Sequence, residues 1–219
     1  MKAILLTLSA ASTFSLMTSA HADKPTIDLS VKGKIDVPSC IIGSPGEGVY
    51  DFGHLPSTLI KPGNEKTTLS SMTKTWVVKC DATTFLNFTV TDNRSDSTSE
   101  ANPSNFGLGK VNSDGKLGYY TVLMENGTVD GKNSTVFSAW PNGGGMMGSS
   151  DVYLQNPSGQ NRHGWSTGQG SSAKQATGQT FTADLVVTPT LAGSGSMNGA
   201  LTDTVDLDGS ITLTFAFGI

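Results

Sequence analysis

Residues 27–37 read Ile27-Asp28-Leu29-Ser30-Val31-Lys32-Gly33-Lys34-Ile35-Asp36-Val37. Every second position is aliphatic or glycine, and every position between is polar. A period of two sustained over that length is the pattern of a β-strand with one buried and one wet face. The other end of the chain repeats it. Leu207, Gly209, Ile211, Leu213, Phe215, Phe217 and Ile219 alternate with Asp208, Ser210, Thr212, Thr214, Ala216 and Gly218. A strand so apolar on one face has to bury it. Two terminal strands of matching pattern could pair, within one molecule or across two.

Between these ends helical periodicity is nearly absent. Short alternating runs separated by Gly, Pro, Asn and Asp clusters predict an all-β sandwich of six core strands. The runs fall at 49–53, at 75–80 with Trp76, Val78 and Cys80 on one face, and at 85–91 with Leu86, Phe88 and Val90 alternating. Further strands are expected at 117–124, 181–188 and 207–219. Residues 127–179, rich in Gly and Ser, read instead as long loops with one or two short strands, 152–154 being the best candidate. Trp140, Tyr153 and Trp165 lie in that region. They are either part of a variable surface insertion or candidate ligand-binding aromatics that stack on sugar rings.

Residues 1–22 read as a secretory signal peptide. Lys2 supplies the positive start, 3–17 the apolar run, and Ala20-His21-Ala22 the small-x-small cleavage site. The mature chain then divides into an N-terminal extension, 23–37, and a β-domain, 38–219. Export and an even cysteine count point to one disulfide between Cys40 and Cys80. The formal net charge of −4 becomes one unit more negative without Lys2. No basic stripe is visible, so nucleic acid and anionic membrane are poor partners.

Catalysis finds little support, and no cofactor or metal is expected. The mature chain keeps His54 and His163, neither within a recognisable acid–base constellation. Gly193-Ser194-Gly195-Ser196-Met197 lacks the last glycine of a nucleophile elbow. Asp206-Leu207-Asp208-Gly209 lacks the remaining ligands of a calcium loop and reads as a turn before the last strand.

The stretch from Asp28 to Cys40 closely resembles the N-terminal extension of chaperone–usher pilus subunits, an alternating strand with a central glycine running into the first cysteine. Gly33 matches that glycine, and Leu29, Val31 and Ile35 match the apolar positions around it. Asp51-Phe52-Gly53, Cys80, the run from Phe181 to Val187 and the closing alternating strand fit the same order. The centre, Asp92-Asn93-Arg94, Phe106 to Gly109 and Leu117 to Tyr120, is similar to a narrower β-fimbria-like group long catalogued as a domain of unknown function. Where many pilins carry a glycine ahead of the last strand and a penultimate tyrosine, this chain has Asp206 and Gly218, with Gly209 and Phe217 in the substitute places.

The resemblance implies an incomplete immunoglobulin-like sandwich, the pilin fold, with a groove along its final strand. A periplasmic chaperone, and then the extension of a neighbouring subunit at an outer-membrane usher, would fill that groove on the way to a fimbria at the cell surface. Ile27, Leu29, Val31, Gly33, Ile35 and Val37 would be the donor positions. Leu207, Gly209, Ile211, Leu213, Phe215, Phe217 and Ile219 would line the acceptor strand. The competing reading is a secreted carbohydrate-binding β-sandwich, or a minor subunit with adhesin activity, using Trp140, Tyr153 and Trp165. Tip adhesins of the family usually carry a separate binding domain and lack a donor extension, which favours a shaft or adaptor subunit here.

Overall fold

The computed structural model describes residues 26–141 and 144–218. The expected signal peptide, Asp23 and Ile219 lie outside the described residues. The chain divides into two units, Met1–Ile35 and Asp36–Ile219. In the first, the described residues 26–35 form no strand or helix, and Ile27, Leu29, Val31 and Ile35 are 95%, 88%, 90% and 99% exposed.

The second unit is all-β and antiparallel. Among the described residues its strands of three residues or more are β1 (Cys40–Gly43), β2 (Met72–Asp92), β3 (Gly118–Val129), β4 (Thr135–Ala139), β5 (Met147–Ser149), β6 (Asp151–Tyr153), β7 (Arg162–Thr167), β8 (Thr177–Leu191) and β9 (Ile211–Phe217). The main path runs β5-β4-β7-β2-β8-β3-β6, with β1 and β9 both added to β2. The sheet curls so that β2 serves two layers. Its first half bonds to β8 and β1. Its second half bonds to β7 and β9. No glycine or proline interrupts the 21 residues of β2, and threonine and valine are frequent in it, so nothing local stops the strand as it passes between layers.

The alternation keeps one phase throughout β2. Val78, Leu86, Phe88 and Val90 all face inward and are buried. They meet Phe181, Leu185 and Val187 of β8, Val122 and Met124 of β3, and Trp165 of β7 in one core. Cys40 and Cys80 stand opposite each other in the β1–β2 ladder and form a disulfide, with Cα atoms 4.0 Å apart. The expected bond is present, although Cys80 lies in mid-strand rather than at a strand end.

Four expectations are corrected. The runs at 75–80 and 85–91 are one strand, because Asp81, Ala82 and Thr83 between them are exposed where β2 crosses layers and do not form a turn. Residues 49–53 form no strand. Their anchors are side chains: Tyr50 bonds to Trp76 and Leu185, and Lys74 Nζ donates to the Val49 carbonyl. Residues 127–179 are not mainly loop: the short strand expected at 152–154 is β6, and β4, β5 and β7 are added to it, more than the one or two short strands expected. The final strand spans 211–217 rather than 207–219. Ahead of it, Asp208 N–H donates to the Leu108 carbonyl, and Ser210 accepts from Asn93 N–H, so this backbone is bonded to a loop instead of a strand.

Candidate functional site: a one-sided final strand and its cleft

The last strand is paired along one edge. Ile211, Leu213, Phe215 and Phe217 of β9 stand opposite Asp92, Val90, Phe88 and Leu86 of β2. Among the described residues no strand pairs with the other edge of β9. Its inward side chains differ accordingly from those they face. Val90, Phe88 and Leu86 are fully buried, whereas Ile211, Leu213 and Phe215 are half-buried and Phe217 is 37% exposed. The free edge leaves one flank of the apolar row open.

Beside that flank lies a cleft of about 340 Å³. Ile211 and Leu213 line it together with Leu185 and Val187 of β8 and Tyr120 of β3. Two features shape it. Gly209 approaches Tyr120 so closely that a Cβ at this position would sit 2.6 Å from Tyr120 Cε1. Tyr50 lines the cleft too. Its hydroxyl donates to the Leu185 carbonyl at 3.1 Å and accepts from Trp76 Nε1–H at 3.1 Å, while Lys74 Nζ stands 5.3 Å from its ring centre. Burial pushes both the Tyr50 and the Tyr120 hydroxyl above the ordinary tyrosine range, so both stay protonated and neutral.

The loop that carries the strand into this position is held by charge. Arg94 Nε and a terminal guanidinium nitrogen donate to the two carboxylate oxygens of Asp208, at 2.7 Å and 3.0 Å. That forked bond draws Asp208 below the usual carboxylate range. Asp92 completes the corner, accepting from the backbone N–H groups of Arg94 and Gly107.

Of the expected acceptor positions, Leu207, Gly209, Ile211 and Leu213 line the cleft. Phe215 packs on Phe88, ring centres 5.2 Å apart, and Phe217 lies at the end of β9. The expected donor positions carry no strand; Gly33 has nothing within 4 Å of where a Cβ would stand, and Val37 is exposed. The aromatic trio is not brought together as one surface. Trp165 is a core residue, 3% exposed, with its Nε1–H donated to the Thr182 carbonyl at 2.6 Å. Trp140 and Tyr153 are about half-exposed, at 49% and 51%. Tyr50, Trp76, Tyr120 and Leu185, which also line the cleft, fall within runs read from the sequence, but the pattern did not join them to the final strand. Alternation identifies a buried face, but only strand pairing decides which part of that face borders an opening.

Among the described residues no group of three or more His, Cys, Asp or Glu side chains is placed to hold a metal ion. Comparison with known proteins gives one partial match. The model of a family described as "Protein of unknown function (DUF1120)" matches residues 29–113. The matched span takes in most of the alternating N-terminal segment, both cysteines and all of β2, and stops before β9. No curated protein and no solved structure matches the chain.

Proposed function

We propose that the chain is a structural subunit of an extracellular fimbria, exported through the periplasm and polymerised by donor-strand exchange through the chaperone–usher route. On this reading the curled sheet is an incomplete immunoglobulin-like sandwich, and the missing strand belongs beside β9. The observation that carries it is the free edge of β9, with three half-buried apolar side chains beside a cleft. An added strand would supply backbone partners along that edge and apolar side chains to the row beneath, the two ingredients of strand addition. The same chain presents an exposed segment of complementary pattern at 27–37. Three or four of its aliphatic side chains inserted into a neighbour would contribute roughly 5–12 kcal/mol before ordering costs.

Removing residues 23–37 tests the reading. The groove accepts a strand and the extension donates one. The truncated chain should therefore fold, form its disulfide and bind a periplasmic chaperone, yet fail to attach to the next subunit. Normal polymer formation by the truncated chain would overturn it.

A further inference from the structure

A second cleft, of about 830 Å³, opens beside the 129–134 hairpin and the start of β8. It owes nothing to the free edge of β9. Lys132, Arg162 and Lys174 line it, and the one carboxylate there is Asp130. The local charge balance is thus positive on a chain whose formal net charge is −4. Asp130 is already engaged: its Oδ1 accepts the backbone N–H groups of Gln179 and Thr180, at 2.9 Å and 2.8 Å. Among the described residues, none of the three cations forms an ion pair with a carboxylate.

The cleft wall also holds two donors without acceptors. Arg162 Nε and Gln175 Nε2 are shielded from solvent and have no hydrogen-bond partner. Buried N–H groups are almost always paired, so these two leave the cleft lining short of acceptors, although both are shielded and are not contact atoms themselves. A guanidinium presents its donors as a planar fork that matches a carboxylate in shape as well as charge. Around it, Asn133, Thr167 and Thr177 offer neutral donors and acceptors, and Phe85 offers an apolar surface. Hydroxyls, a ring face and a carboxylate are the complementary set. Three cations in a concave cleft fit a compact anion better than a nucleic-acid backbone, which needs an extended basic track. The volume falls within the range of small-ligand clefts, roughly 300–1,000 Å³.

We infer that this cleft binds an acidic saccharide, its carboxylate at Arg162 flanked by Lys132 and Lys174. The inference is independent of the polymerisation reading, since none of these residues lies at β9.

The test is titration of the exported, disulfide-bonded chain with trigalacturonate, with neutral galactotriose and inorganic phosphate as comparison probes. Calorimetry and backbone amide shifts give the readout. Trigalacturonate should bind and move amides at 130–134 and 174–177. The double variant Lys132→Gln/Lys174→Gln, changed at exposed positions, should bind about tenfold more weakly with its amide spectrum otherwise preserved. Arg162→Gln should abolish binding; if it fails to fold, the lysine pair decides. Equal binding of galactotriose, phosphate binding without trigalacturonate binding, no binding at all, or full affinity in the lysine variant would each overturn the inference.

Discussion

Trp76 donates its indole N–H to the Tyr50 hydroxyl at 3.1 Å, although Tyr50 belongs to no strand and Trp76 lies within β2. That bond, with the one from Tyr50 to the Leu185 carbonyl, holds Tyr50 and its neighbours Val49 and Phe52 in the lining of the first cleft. Tyr50→Phe keeps the ring and removes both bonds, leaving a half-buried indole N–H and a carbonyl without this partner. A loss of about 1–2 kcal/mol in urea unfolding is expected. An unchanged midpoint would show that ring packing alone holds the segment.

Gly209 and Gly33 make a matched pair of tests. A Cβ at Gly209 meets the Tyr120 ring, whereas one at Gly33 meets nothing. Gly209→Ala should destabilise by about 1–3 kcal/mol through overpacking. Gly33→Ala should stay within about 0.5 kcal/mol of the parent. Equal effects would contradict the close approach at Tyr120.

The three aromatic residues of the middle region should separate into two kinds. Trp165→Ala removes a core side chain packed on Phe88 and Phe181, and should cost about 3–5 kcal/mol. Trp140→Ala and Tyr153→Ala alter half-exposed side chains and should cost far less, about 1 kcal/mol or below. Thermal melts of the three variants provide the comparison.

His163 should make the fold sensitive to mild acid. It is fully buried on β7, its Nε2 accepts the Gln155 N–H at 3.1 Å, and burial pushes its pKa down to about 3 from 6.5. Below the unfolded value the unfolded chain takes up a proton that the folded chain refuses until about pH 3. The stability present above the unfolded value is therefore lost as pH falls, by roughly 1 kcal/mol per pH unit. Asp96, Asp130 and Asp208, each held below the usual carboxylate range, add their own loss only at lower pH. Denaturation from about pH 7 to about pH 4.5 thus isolates the histidine. His163→Gln should flatten the decline there.

The strands that could be read from sequence are those whose alternation is uninterrupted. Leu86, Phe88 and Val90 in β2 and Ile211, Leu213 and Phe215 in β9 announce their inward faces directly. β7 was missed because Gly164 and the polar His163 break the apolar rhythm around Trp165, although both are buried. Residues 49–53 look strand-like but find no ladder partner, a fact decided by distant β8 and β2. The cleft beside β9 was half legible for the same reason: its own strand is written in the pattern, while the rest of the lining depends on which of several equally apolar rows lies beside it.

The double membership of β2 also has a mechanical meaning. A pull entering the domain at Ser39 reaches β1 and passes through the Cys40–Cys80 bond into the middle of β2. A short way further along that same strand begins the ladder with β9, from Leu86 to Asp92. Tension between the first strand and the last therefore travels along one continuous backbone to Leu86, and because Phe217 stands opposite Leu86, it meets the β9 ladder at its near end and loads those hydrogen bonds one after another. The strands β3 to β6 stand outside this line of force. A domain built this way carries load between its first and last strands without passing it through the parts of its fold that are farthest from them.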